Sequence, residues 1–142
     1  MLRGLVAETS RLAIVDLEAG LEHLSRGTAR HVDTLLVVGE PYFKSLEAAR
    51  RSFTLARDLG IAHIHMVANK IRTPRDEDTV REFAARHAMD IAAVVPYDTA
   101  VTEADERGAA LIEHRPDAPS VMAIRRLADD LLQTAQQRPA RA

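Results

Sequence analysis

A chain of 142 residues with 19 basic and 21 acidic side chains, a net charge of -2 and 46% hydrophobic residues has the make-up of one soluble globular domain. The balanced charge leaves no electrostatic footprint for nucleic acid or anionic lipid, and the longest apolar runs are strand-length, too short to span a membrane. The absence of cysteine excludes disulfides, thiolate metal sites and a thiol nucleophile, and Met1-Leu2-Arg3-Gly4-Leu5 lacks the long apolar core of a signal peptide, so a cytoplasmic location is expected.

Leu2, Leu5 and Val6 stand at helical spacing and predict a short helix over residues 2–9, followed by a first strand, Leu12 to Asp16. That apolar run delivers an aspartate to its end and then turns through Gly20. In a parallel α/β sheet, ligands bind outside the carboxyl ends of the strands, so an acid there points where a nucleotide's magnesium would sit. A glycine shortly afterwards lets backbone N–H groups approach a phosphate. Taken alone, the pattern more often reports an Asp that caps a loop and a Gly that makes a turn.

Leu24 to Arg30 reads as a helical turn or short helix, and Thr34 to Gly39, apolar on both faces, as a central strand. Ser45 is the expected N-cap of a helix with Glu47 in its first turn and Leu46, Ala49, Phe53 and Ala56 as its apolar stripe, stopping at Gly60. Ile61 to Ala68 is the third strand, ending at Asn69-Lys70. After the Thr73-Pro74 turn, Asp76, Glu77 and Asp78 open a helix whose buried face is Val80, Phe83, Ala84 and His87. Ile91 to Val95 is the fourth strand, closed by Pro96. Thr99 is expected to cap a helix reaching about Gly108, with a loop over residues 109–117. Pro119 falls in the first turn of a last helix with Val121, Ile124, Leu127, Ala128, Leu131 and Ala135 as its stripe, and a polar tail follows Gln136. Strands separated by helices of these lengths imply βαβ units and a parallel, three-layer α/β sheet.

Four short segments then line up on one edge of that sheet, each just after a strand: Asp16-x-x-x-Gly20, Glu40-Pro41, Asn69-Lys70 and Pro96-Tyr97-Asp98. Outside them, His63 and His65 stand two apart on a strand, on one face, where a structural role outweighs a two-ligand metal site. His23 reads as an exposed loop histidine, and the Arg50-Arg51 and Arg125-Arg126 pairs as solvated helix faces.

The Val-Asp-Leu-Glu-Ala-Gly-Leu-Glu-His segment, Glu-Pro-Tyr-Phe-Lys-Ser-Leu-Glu-Ala-Ala-Arg, Val-Ala-Asn-Lys and Val-Val-Pro-Tyr-Asp together resemble the MinD/ParA-like P-loop ATPases, most closely the CooC-type ATPases that mature carbon monoxide dehydrogenase. The resemblance covers nearly the whole chain but only the second half of such an ATPase. It implies a three-layer, Rossmann-like P-loop NTPase fold, mostly parallel, without its N-terminal P-loop strand; residues 1–136 are then a partial P-loop domain and 137–142 a tail. It assigns Asp16 to the Walker B role, holding the water shell of Mg²⁺, and Gly20 to the position that senses the γ-phosphate. Asn69 matches the asparagine that hydrogen-bonds adenine, and Pro96, Tyr97 and Asp98 the loop along the base. The residue types suit those roles, a carboxylate being a hard ligand for hydrated Mg²⁺ and an amide offering one donor and one acceptor to a purine edge. A strand-end cap for Asn69 and an Asx-turn for Asp98 stand beside them as alternatives.

The departure from the family decides the expected activity. A phosphate loop needs Gly-x-x-x-x-Gly-Lys-Ser/Thr, and the glycines at 4, 20, 27, 39, 60 and 108 form none. The family's Cys-x-Cys nickel pair has no counterpart either, so metal binding and self-sufficient catalysis do not carry over. The resemblance implies a nucleotide-dependent switch using ATP and Mg²⁺, inactive alone. Its implied partners are a second copy, a chain carrying the P-loop half, or a client like carbon monoxide dehydrogenase. The alternative is a non-catalytic α/β interaction or dimerisation module; a flavodoxin- or receiver-like domain fits less well, because Asn69-Lys70 stands where a receiver places its phosphorylatable aspartate. Without the P-loop strand the sheet is expected to leave an unpaired edge and to associate.

Overall fold

The computed structural model describes residues 13–17 and 31–136. In chain order the elements are β1 (Thr34–Gly39), α1 (Phe43–Asp58), β2 (His63–Ile71), α2 (Pro74–Arg86), β3 (Ile91–Pro96), α3 (Thr99–Glu106), α4 (Leu111–His114) and α5 (Pro119–Gln136). The strands form a parallel sheet in the order β1-β2-β3, with Val37 opposite Met66 in one ladder and Val67 opposite Ala93 in the other.

Period-two alternation along β2 sorts its side chains to two faces. Met66 and Ala68 join Val37 of β1, Leu46, Ala49 and Phe53 of α1, and Val80 and Ala84 of α2 in the larger core. Val67 turns the other way and packs with Val95 and with Leu127 of α5. Helices therefore cover both faces, which makes the architecture three-layered as expected. The capping signal ahead of α2 is realised in full: Thr73 Oγ1 accepts from the Asp76 N–H, and the Asp76 carboxylate accepts from the Thr73 N–H.

Several boundaries differ from expectation. Residues 13–17 form no strand: Ile14 is 90% and Val15 43% exposed, and only Leu17 packs, against the Ala56–Ile61 cluster. An apolar run becomes a strand only where a neighbour supplies a ladder, and no described residue pairs with this one. For the same reason β1, expected to be central, is an edge among the described residues, with Val38 60% exposed. Helix α1 starts at Phe43 with Tyr42 as its N-cap, so Ser45 lies inside the helix, where its hydroxyl accepts the Glu40 N–H at 2.9 Å. The turn at Pro41 has already redirected the chain, the Tyr42 N–H bonding back to Glu40 O at 2.8 Å, and the helix follows at once.

Strand β2 runs on through Asn69-Lys70 to Ile71, because buried Ile71 resumes the ladder opposite Pro96. Asp98, not Thr99, caps α3, and the expected loop over 109–117 contains the single turn α4. On α5, Val121 and Leu127 are buried, but Ile124 is 50% exposed and Ala128 and Ala135 face solvent. That helix packs chiefly on β3, and among the described residues no layer covers the outer half of its stripe. The helix expected over 2–9, the turn over 24–30, Gly20, His23 and the tail lie outside the described residues.

Phe53, 2% exposed, is among the largest buried side chains of the shared α1–β2–α2 core. Phe53→Ala is expected to destabilise the fold by about 3–5 kcal/mol, read from urea denaturation, whereas Leu132→Ala on the exposed side of α5 should change it by less than about 0.5 kcal/mol.

Candidate functional site

Because all three strands run the same way, their carboxyl ends emerge together, placing Glu40-Pro41, Asn69 to Arg72 and Pro96 to Asp98 along one edge. At the first end, Gly39 is set so close to the core that a Cβ there would stand 2.7 Å from Met66 Cε. Glu40 follows and reaches across to the second strand end, where Lys70 Nζ meets its Oε1 at 2.9 Å. That hydrogen bond and the Glu40 charge hold the Lys70 ammonium above the usual lysine range, with Tyr42 and Tyr97 also acting on it.

The second strand end is irregular. The β2–β3 register shifts between Ala68 and Ile71, and Lys70 takes a left-handed φ of 58°. Bulges of this kind re-aim side chains beside functional sites. Asn69, just before the strained residue, is half-buried, and no described group hydrogen-bonds its side-chain amide. Beyond the bulge, the Ile71 carbonyl accepts the Tyr97 N–H at 2.8 Å, and the Arg72 guanidinium stacks on the Tyr97 ring, Cζ lying 3.7 Å from the centroid. The Arg72 N–H donates to Asp76 Oδ2 at 2.9 Å; that bond, against the opposing effect of burial and helped by Thr73, holds the Asp76 carboxyl below its ordinary value.

At the third strand end, Asp98 ties three elements together. Its Oδ1 accepts the Ala100 N–H at 2.9 Å, capping α3, while Oδ2 accepts the N–H and hydroxyl of Ser120 at 3.2 and 2.9 Å, at the start of α5. Burial pushes the Asp98 carboxyl up, but the bonds from Ser120 and Ala100, with the Arg115 charge, outweigh it and hold the group below the usual aspartate range. The Asx-turn expected of Asp98 is formed, and both carboxylate oxygens are engaged within the protein.

The structure thus brings Asn69, Pro96, Tyr97 and Asp98 to one edge, together with residues that sequence reasoning did not single out as binding groups: Glu40 paired with Lys70, Arg72 stacked on Tyr97, and Ser120 bound to Asp98. Glu40 and Lys70 end adjacent strands, so their pairing had a sequence signal; the Arg72 and Ser120 contacts had none. Asp16 is exposed, stands on no strand and has no hydrogen-bond or ion-pair partner among the described residues. Gly20 lies outside them. At the opposite edge, His65 Nδ1 lies 2.5 Å from Asp90 Oδ2. No group of three or more His, Asp or Glu side chains able to hold a metal occurs among the described residues, and no described helix is long and apolar enough to cross a membrane.

An amide with no partner among the described residues, on the same strand-end edge as an exposed aromatic ring and two cations, has the chemistry to recognise the edge and face of a flat heterocycle. The chain is 36% identical over 116 residues to the carbon monoxide dehydrogenase accessory protein CooC of Rhodospirillum rubrum, covering 82% of this chain and 43% of that protein. It is also 36% identical over 109 residues to an uncharacterized ATP-binding protein of Methanocaldococcus jannaschii, covering 76% of this chain and 42% of the relative. The chain therefore spans less than half the length of the curated relatives it matches. Among solved structures, the MinD cell division protein of Aquifex aeolicus superposes with a TM-score of 0.66 at 18% identity, over 87% of this chain and 52% of that one. A ParA family ATPase of Chlorobium tepidum gives 0.63 at 23% identity, over 74% and 44%. At these identities the likeness shows the fold. No family model matches the chain.

The Asp98 clamp generates a prediction. Asp98→Ala is expected to cost about 1–2 kcal/mol at neutral pH, as the loss of a helix cap does. Because the folded-state pKa is lowered, the charge's contribution is present above the unfolded value of about 3.9 and is lost as pH falls through the folded value. The stability gap between wild type and variant should therefore narrow between neutral pH and about pH 3 in urea denaturation; a constant gap would remove the carboxylate charge from the account.

Proposed function

We propose that this chain, a homologue of the CooC-type ATP-binding proteins with the MinD/ParA-like P-loop ATPase fold, supplies the base-facing side of a nucleotide-dependent switch. The observation that carries the proposal is Asn69: a half-buried amide with no described partner, held at a bulged strand end beside Tyr97, in a chain whose curated relatives include proteins named as ATP-binding. In this reading Asn69 hydrogen-bonds the adenine edge and the Pro96–Tyr97 backbone and ring lie along the base. Asp98 acts through the loop it anchors and does not touch nucleotide.

Asp16 and Gly20 keep their proposed roles, toward hydrated Mg²⁺ and the γ-phosphate, on the strength of the sequence resemblance. The described residues do not assemble a magnesium site around Asp16, so no step is derived through the metal. A solved MinD from Pyrococcus horikoshii is complexed with Mg-ADP, which supports nucleotide and magnesium as the ligands of the complete fold. The phosphate loop is absent from these 142 residues, so its N–H groups and lysine must come from another segment or a second polypeptide. The proposed client class, a metalloenzyme of the carbon monoxide dehydrogenase kind, follows from the name of the Rhodospirillum relative. A second reading, an interaction module without nucleotide, draws on β1, an edge strand among the described residues that carries exposed Val38.

Two outcomes test the first reading. These residues alone should release no phosphate from ATP, because phosphoryl transfer depends on positioning and charge stabilisation that the phosphate loop supplies. Turnover that disappears in Asp16→Asn would mean another segment cradles the phosphates. With a polypeptide carrying the phosphate loop supplied, Asn69→Ala should weaken ATP binding by about 1–2 kcal/mol and relax discrimination of adenine from guanine. Unchanged affinity and selectivity in calorimetric titration would favour the interaction module.

A further inference from the structure

Arg72 lies outside the residues that the family pattern marks, yet its contacts bind it to them. We propose that Arg72 is a positioning residue of the base-facing edge: its guanidinium, stacked on Tyr97, holds the ring in the orientation against which a purine lies. The inference rests on the nucleotide reading and adds a residue to it.

The backbone on both sides of the contact is fixed. Tyr97 donates its N–H to the Ile71 carbonyl at 2.8 Å, and the next residue, Asp98, is clamped to the starts of α3 and α5. Arg72 donates its N–H to Asp76 at 2.9 Å, and the next residue, Thr73, caps α2. What these bonds leave undetermined is the Tyr97 side chain. The residue is 40% exposed, so burial does not select its rotamer. Arg72 does: with Cζ 3.7 Å from the ring centroid, the planar guanidinium is in van der Waals contact with the ring and attracted by its negative face. The side chain that would otherwise sample several rotamers is thereby ordered before ligand arrives, which removes an entropic penalty from binding. A lysine could supply the charge but not the flat stack. Nearby Lys70 is held by Glu40 and does not compete for the ring.

This division of labour has a signature. Asn69 reads the edge of the base and sets selectivity, whereas Arg72, acting through Tyr97, should affect purines alike. The test titrates adenosine and guanosine monophosphates, up to tens of millimolar because binding weaker than about millimolar is expected, into the isotope-labelled chain while amide resonances are followed by NMR. In wild type the Asn69 and Tyr97 amides should shift. Arg72→Ala should weaken both nucleotides about three- to fivefold with their ratio unchanged, and the Tyr97 ring resonances should move before ligand is added. Arg72→Lys should fall between, and exposed Arg126→Ala should have no effect. Arg72→Ala placed in a Tyr97→Leu background should cause no further loss, because the stack it removes is already gone. Nucleotide binding at Asn69 that Arg72→Ala leaves unchanged, or equal losses from Arg72→Ala and Arg126→Ala, would overturn the role of Arg72 and leave the nucleotide reading standing. If adenosine monophosphate leaves the wild-type Asn69 amide unmoved, both fall.

Discussion

The constraint on which this structure depends is the pairing of β2 on both sides. Met66, Val67 and Ala68 are all buried, and parallel partners on either side satisfy their backbone groups. Parallel strands cannot be joined by tight turns, so each connection must carry the chain back over a face of the sheet, and α1 and α2 do so on the face of Phe53 and Val80. The same requirement sends every carboxyl strand end to one edge. The meeting of Glu40, Lys70, Arg72, Tyr97 and Asp98 is thus a consequence of topology before it is a matter of chemistry.

At that edge the strand ends are cross-linked more firmly than loops usually are. Lys70 holds a left-handed conformation that a side chain with a Cβ disfavours. Its ion pair to Glu40, the Tyr97–Ile71 bond that follows the bulge and the Arg72 stack all depend on the chain taking that path. Strain kept in place by several independent contacts is typical of positions where geometry matters more than local stability. The Asp98 clamp ties the loop between β3 and α3 to the starts of α3 and α5.

The parts legible in the sequence were those carried by local periodicity. The stripe of Leu46, Ala49, Phe53 and Ala56 and the Thr73-Pro74 start with its acidic turn marked α1 and α2, because apolar spacing and capping act within a few residues. The run ending at Asp16 misled because hydrophobicity reports a wish for burial and says nothing of whether a partner strand is there to provide it. Ser45 has the chemistry of a cap, but the turn set by Pro41 acts earlier and gives that place to Tyr42. The polar pair Asn69-Lys70 in the bulge looks like a strand end in the sequence, although Ile71 beyond it returns to the core and continues β2. At the site, Asn69 and the Pro96–Asp98 segment were placed on the right edge, but the commitment of Asp98 to Ser120, distant in sequence, and of Arg72 to Tyr97 depends on tertiary packing.

A base-facing edge of the kind proposed would be selective without being strong. A few exposed hydrogen bonds and one stacking surface must overcome the entropy of immobilising a flexible nucleotide, and each contributes on the order of 1 kcal/mol. In that reading the affinity of the complete fold comes from the phosphates, where charge-assisted bonds from a lysine and a row of N–H groups act together. Rigidity at the base side then has a clear use. If Tyr97 and Asn69 are already ordered, the free energy released at the phosphates need not be spent on arranging them, and it can drive whatever closure the nucleotide controls. Under the proposed reading, the cross-linked strand ends are the part that meets the base, and the phosphate loop, absent from these 142 residues, is the part that supplies the affinity.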